Sequence, residues 1–321
     1  MLLVHGVFRS GTTLLFRMLR RDEQLRCFYE PLHPDVLDHA GEAHATDPGH
    51  DKSSLYAEYV PTLNRIRTQG APDSWPCQLA DTDEAPALRA YLECLCPNGE
   101  QRLLQFNRAF WMVPWLGRTF SGSPFVHLVR DPRAVVWSQL TTASGQRVRM
   151  DWPLLGRLLP LSSGNLRRAF CEHAYFGAYH LDEYFEHGLR LLQDEETAPA
   201  TRAALQRLGA VQDDPPYVRA LALWGAQVEA CQHHARSTFG TQFLFLRYED
   251  VCEAPCEHLR SIYNLQDRPL PTPVETYAQQ TVNAECPRRW TEIPSAHRRF
   301  REGIRRAHIA DLMRDLGYDP S

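Results

Sequence analysis

The chain opens MLLVHGVFRSGTTLLFR, residues 1–17, and the reading of this stretch decides the fold. Leu2, Leu3 and Val4 form a short apolar run that predicts a buried strand. Gly6 to Gly11 predicts a turn, and TTLLFRML from Thr12 onward predicts a helix. Strand, glycine-bounded loop and helix start together make a phosphate cradle. Loop N–H groups converge on one point there, and the helix dipole favours an anion. Ser10, Gly11, Thr12 and Thr13 offer backbone N–H groups and three hydroxyls, and Arg9 can reach a bridging or terminal oxygen. A plain strand-loop-helix turn carrying a solvated arginine has the same local pattern, so further residues must decide between them.

The spacing GVFRSGTT (6–13) resembles the Walker A loop, Gly-x4-Gly-Lys-[Ser/Thr], with one departure: Thr12 stands at the lysine position, and the cation lies inside the loop as Arg9. A P-loop kinase or NTPase needs that lysine and a Walker B carboxylate for Mg²⁺. Thr12 replaces the first, and Asp131 is better used as a helix cap.

Outward from the cradle, further strands are expected at Leu25–Tyr29, Leu103–Phe106, Phe125–Val129 and Phe243–Leu246. Helices are expected at Glu84–Cys96, 132–140, Asn165–Glu186, Pro199–Leu208, Tyr217–Arg236, Pro255–Tyr263 and Gly303–Leu316. Residues 40–53 read as an exposed loop, 144–164 as a loop or lid, and 272–300 as irregular. Strands separated by helices predict an α/β fold, a parallel sheet covered on both faces. No repeat or linker interrupts the chain, so a single domain over residues 1–321 is expected, with a helical insertion at roughly 145–240.

The 321 residues carry a formal net charge of -4, and the pI is about 6.4. That balance gives no bulk attraction to nucleic acid or to an anionic membrane. Basic residues must then act locally. Only Lys52 is a lysine; the other 34 basic residues are arginine, which excludes lysine-centred chemistry almost everywhere. No run approaches the roughly 18 apolar residues of a membrane span. The strand follows Met1 directly with no basic leader, which predicts a cytoplasmic protein. The nine cysteines include no Cys-x2-Cys pair and no Cys/His ligand spacing. Buried free thiols are expected, and no metal.

A second anion site is suggested at Arg130 and Ser138. Arg130 ends the strand Phe125–Val129. Asp131 and Pro132 then start a helix as N-cap and first helical residue. An arginine closing a parallel strand and a hydroxyl on the next helix can share one phosphate at the sheet's carboxyl edge. Two separated phosphate sites on one edge suit a nucleotide phosphorylated at two places.

These residues carry a specific resemblance. GVFRSGTTLLFRML (6–19) and FVHLVRDPRAVVWSQL (125–140) resemble the two nucleotide motifs of sulfotransferases that use 3′-phosphoadenosine 5′-phosphosulfate. FLFLRYEDV (243–251) is similar to that family's late strand and turn. FYEPLHP (28–34) and DLMRDLGY (311–318) resemble segments of its carbohydrate branch. RSGTTLLFRML (9–19) and VNAECPRRW (282–290) resemble segments of its protein-tyrosine branch.

The resemblance implies a P-loop NTPase-like sheet and direct sulfuryl transfer to a hydroxyl without a metal, leaving adenosine 3′,5′-bisphosphate. It places the 5′-phosphosulfate on Arg9, Ser10, Gly11, Thr12 and Thr13. The 3′-phosphate falls to Arg130 and Ser138, with Arg288 or Arg289 supplying charge where the tyrosine enzymes have lysine. Arg9 becomes the cation at the leaving oxygen, and Arg108 can share that role. Glu30 matches a glutamate base, although a glutamate there can also be the structural partner of an arginine. His33 is a lesser candidate for base, and His5, inside the strand, reads as buried structure. Adenine stacking is open between Phe8 and Trp290. Trp111, Trp115, Tyr175 and Tyr179 can line an acceptor cleft or pack in the core, and packing is favoured. The acceptor is expected to be a saccharide or glycolipid hydroxyl, with a tyrosine peptide second.

Overall fold

In the computed structural model of the chain, residues 1–45, 53–69, 85–95, 101–140, 181–282 and 294–321 are described. Five strands appear where the apolar runs placed them: β1 Leu2–His5, β2 Leu25–Tyr29, β3 Gln101–Phe106, β4 Phe125–Val129 and β5 Phe243–Arg247. They form one parallel sheet in the order β2-β3-β1-β4-β5. Leu2, Leu3, Val4, Leu103, Leu104 and Val126 have no exposure. Strands buried on both faces carry continuous apolar runs because neither side meets water. The fold is α/β, a parallel sheet flanked by helices, and β1, its loop and the following helix have the P-loop arrangement.

The helices, in chain order, are α1 Thr12–Leu19, α2 Val36–Ala45, α3 Leu63–Gln69, α4 Pro86–Leu95, α5 Val113–Thr119, α6 Pro132–Leu140, α7 Leu181–Gln193, α8 Pro199–Gly209 and α9 Pro216–Phe239. They continue with α10 Tyr248–Glu253, α11 Pro255–Asn264, α12 Thr272–Thr281, α13 Pro294–Arg306 and α14 Ala310–Asp315. The Asp131 cap is present: its Oδ1 accepts the Arg133 backbone N–H at 2.8 Å, and Pro132 opens the helix.

Three expectations are corrected. The stretch 40–53 is helical as far as Ala45. The stretch 272–300, read as irregular, begins and ends in helix, because Pro273 and Pro294 sit at helix starts where a missing N–H costs nothing. The closing helix is two helices, α13 and α14, separated where His308 takes a left-handed φ of 53°. The suggested lid at 144–164 lies outside the described residues.

The chain divides into two compact units. The first comprises Met1–Arg130 with Ala230–Cys286, and the second Asp131–Glu229 with Pro287–Ser321. The first holds the whole sheet. Its β1 and β4 are in register at Leu3–Phe125 and His5–His127, and Phe239 stacks on Phe125 with centroids 4.7 Å apart. In the second unit, α9 and α13 meet closely at Gly303, where a Cβ would lie 2.8 Å from Leu221 and Tyr217. Asp131 pairs with Arg133 at 2.8 Å, and Arg133 also donates to the Ser321 carbonyl. Among the described residues no helix is long and apolar enough to cross a membrane.

Candidate active site

A parallel sheet brings every strand's carboxyl end to one rim, and the residue after each strand faces the crevice there. In the first unit this rule gathers Gly6–Gly11 after β1, Glu30 after β2, Asn107 and Arg108 after β3, Arg130 after β4 and Tyr248 after β5. Residues separated by more than 200 positions thus line one edge.

The cradle has the geometry its sequence implied. Gly11 caps α1 in the left-handed region, φ 96°, with no side-chain cap. The first N–H groups of a helix have no partner within it, so α1 begins with donors turned outward. A Cβ on Gly11 would run into the Tyr248 ring, and one on Gly6 would lie 2.6 Å from the Leu128 carbonyl oxygen. Both glycines are therefore fixed by close approach, and Gly11 by its φ as well. Ser10 is buried and its hydroxyl meets no partner among the described residues. The other two hydroxyls are engaged: Thr12 donates to Asn107 Oδ1 at 2.8 Å, and Thr13 shares a 2.7 Å bond with the Tyr29 hydroxyl. Gln105 Nε2 donates to the same Asn107 oxygen. Thr12, at the usual lysine position, thus ties the helix start to β3. In a Gly11→Ala variant, the positive φ and the tyrosine ring both oppose the new methyl group. Affinity for adenosine 3′,5′-bisphosphate is expected to fall at least tenfold by calorimetry, and unchanged affinity would move the binding site away from this loop.

Arg130 reaches the cradle. Its guanidinium donates to the Arg9 carbonyl at 3.3 Å and lies 4.6 Å over the Tyr248 ring. Arg9 itself is exposed, with φ 71°. Ser138 is half-buried on α6, in the second unit. Arg288, Arg289 and Trp290 lie outside the described residues, as do Tyr175 and Tyr179.

Glu30 and Arg108 form a buried ion pair, with Arg108 donating to Oε2 at 2.5 Å. The carboxylate also accepts from Gln105 and from the Asn107 backbone. Burial pushes its pKa above the ordinary carboxylate value, against the opposing pull of Arg108. Its φ is 48°, so Glu30 and Arg9 are both non-glycine residues in a left-handed backbone. Such conformations cost on the order of 1–3 kcal/mol and persist where surrounding contacts over-determine them. Phe8 lies under Arg108, 4.8 Å from ring centre to guanidinium carbon. Beyond Glu30, His33, His39 and Tyr56 form a ring cluster with centroids 4.8 to 6.3 Å apart. The Glu30 carboxylate acts electrostatically on Tyr56.

Trp111 and Trp115 are each 2% exposed and belong to the interior, which matches the favoured reading of them. Asn107, Tyr29 and Tyr248 were missed as site residues. Asn107 and Tyr248 stand immediately past β3 and β5, so the rim rule applied to each strand end would have found both.

Residues 2–159 match the model of the sulfotransferase family. No curated protein matches the chain. Among solved structures, the chain is similar to the "Sulfotransferase Domain from the Curacin Biosynthetic Pathway". The two share 15% identity over 85% of this chain and 75% of the other, at a TM-score of 0.40.

Proposed function

We propose that the chain, whose residues 2–159 match the sulfotransferase family, transfers the sulfuryl group of 3′-phosphoadenosine 5′-phosphosulfate to an acceptor hydroxyl. The observation that carries this reading is the meeting of Arg130 with the Arg9 carbonyl over the Gly11 cradle. One ligand with anionic groups at two places can engage both there. The unpartnered Ser10 hydroxyl, the outward N–H groups of α1 and the missing Cβ of Gly11 fit a bound phosphate or sulfate oxygen.

In this reading the loop from Arg9 to Thr13 holds the 5′ end of the donor. Arg130 holds the 3′-phosphate. Glu30 takes the proton of the acceptor hydroxyl as its oxygen bonds to sulfur. Arg9 neutralises the charge that collects on the 5′-phosphate as the old S–O bond breaks. Arg108 keeps Glu30 ionised and oriented. No step asks for a metal. A kinase reading gains nothing from the site, since Thr12 is spent on Asn107 and Asp131 on its helix cap and Arg133.

We assign the acceptor to the saccharide class, on a glycan or glycolipid, with tyrosine peptides second. Support comes from the FYEPLHP and DLMRDLGY segments and from the half-buried rings of His33 and His39 beside the Glu30 loop. Oligosaccharides and tyrosine peptides offered with labelled donor separate the two classes by which becomes labelled.

Thermal unfolding with adenosine 3′,5′-bisphosphate and no added metal tests the donor assignment. At about 100 times Kd the ligand is expected to stabilise the protein by about 2.7 kcal/mol. The Arg130→Ala variant should need at least tenfold more ligand for the same shift. Stabilisation by ATP with Mg²⁺ alone, or equal affinity in the variant, would overturn it.

A further inference from the structure

Away from the rim, on the face of the sheet opposite Leu2 and Val4, three donor atoms converge. His5 ends β1 and His127 lies beside it on β4, so their side chains leave the same face. Their rings stack at 5.0 Å, and the two Nδ1 atoms are 3.0 Å apart. Cys231, on the part of α9 that belongs to the same unit, places its Sγ 3.4 Å from each nitrogen. All three residues have no exposure. Phe110 and Phe125 flank the His5 ring.

Hydrogen bonding closes this triangle only through a weak partner, since a thiol is a poor donor and a poor acceptor. Each neutral imidazole has one proton, and each Nδ1 offers either that proton or one lone pair. One Nδ1–H can donate to the other Nδ1. That bond uses the only free lone pair, and the Cys231 thiol is left with no nitrogen to receive its proton. The two Nε2 atoms are buried and meet no partner among the described residues. A cation at the trio would engage three lone pairs at once, each ring then carrying its proton on Nε2.

We propose that His5 Nδ1, His127 Nδ1 and Cys231 Sγ form a binding site for one thiophilic cation of the copper(I) or zinc class. Nitrogens at about 2.0 Å and a sulfur at about 2.3 Å from one centre reproduce the observed separations at angles of about 95–105°. A thiolate with neutral imidazoles suits exactly these cations rather than Mg²⁺ or Ca²⁺, which take oxygen. Binding releases the Cys231 proton to solvent, and the thiolate charge offsets the cation's in the apolar interior. The site is independent of donor and acceptor. Its place is structural: Gly6 follows His5 directly and Arg130 lies three residues past His127, so the cation ties together the roots of both anion loops.

The test uses the whole protein purified without chelator, then stripped in denaturant and refolded with anaerobic copper(I) or with Zn²⁺. Retention or uptake of one equivalent, with an absorption-edge spectrum fitted by two nitrogens and one sulfur, is the expected result. The metal-loaded form should melt several degrees above the stripped form. Cys231→Ala and His127→Phe, checked for fold by circular dichroism, should lose uptake. Because those variants alter the core, the wild-type spectrum decides: no uptake of either cation, or a coordination shell without sulfur, overturns the proposal.

Discussion

Replacing Glu30 with glutamine is expected to lower turnover by about 10²-fold or more while donor-nucleotide affinity stays within twofold. The substitution keeps the side chain's shape and one acceptor oxygen for Arg108, but its amide cannot take a proton. The pH profile supplies a second readout. Burial raises the Glu30 pKa above the ordinary carboxylate value, and a base works only when ionised. Wild-type kcat/KM should therefore climb with pH through that raised value and level off above it, and the acid limb should vanish in Glu30→Gln. If the glutamate served only as the structural partner of Arg108, the variant would lose stability and keep its turnover. Near-normal turnover thus removes Glu30 from the base role.

Arg108→Met is expected to be the more damaging change to the protein as a whole. The guanidinium is buried, and at 2.5 Å it is the charge facing the Glu30 carboxylate. Removing one member of such a pair typically costs about 3–5 kcal/mol, because the remaining charge is stranded in a poorly polarisable site. The carboxyl escapes part of that cost by staying protonated, which moves its pKa further up. The sign of the linkage follows. A carboxyl whose pKa is raised on folding binds its proton more tightly in the native state. Stability is then full below the ordinary carboxylate range and is lost as pH rises through the raised value. The melting temperature of Arg108→Met should consequently fall with rising pH over a wider window than in wild type. Activity at neutral pH should drop more than tenfold and recover in part as pH rises and the carboxyl ionises. A loss of activity that is flat with pH would mean that Arg108 acts on the leaving group and not through Glu30.

Much of this site was legible along the chain because parallel strands announce themselves. LLV, LRCFY and FVHLV are short apolar or β-prone runs bounded by turns, and each ends at a residue with chemistry: the cradle, Glu30 and Arg130. The irregular reading of 272–300 missed the helices at its two ends for a local reason. The stretch is rich in Pro and Arg, and Pro273 and Pro294 stand at helix starts, which tolerate a missing N–H. The hydroxyls of Thr12 and Thr13 were legible as polar groups near a phosphate. Their partners were not, because Asn107 and Tyr29 reach them only once β3 and β2 are laid beside β1.

The sequence by itself determined the strand-loop-helix cradle, the glycine that bounds its loop at position 11 and the arginine that closes β4. Backbone conformation and helix starts depend on neighbours a few residues away, and those neighbours are written in order. Only the tertiary structure decided that Glu30 meets Arg108 across 78 positions, that Tyr248 covers Gly11, and that His5, His127 and Cys231 converge. Those pairings follow from strand order and register, which long-range packing selects. Nine scattered cysteines with no ligand spacing gave no hint of a metal-like triad, because its members are 104 and 226 residues apart.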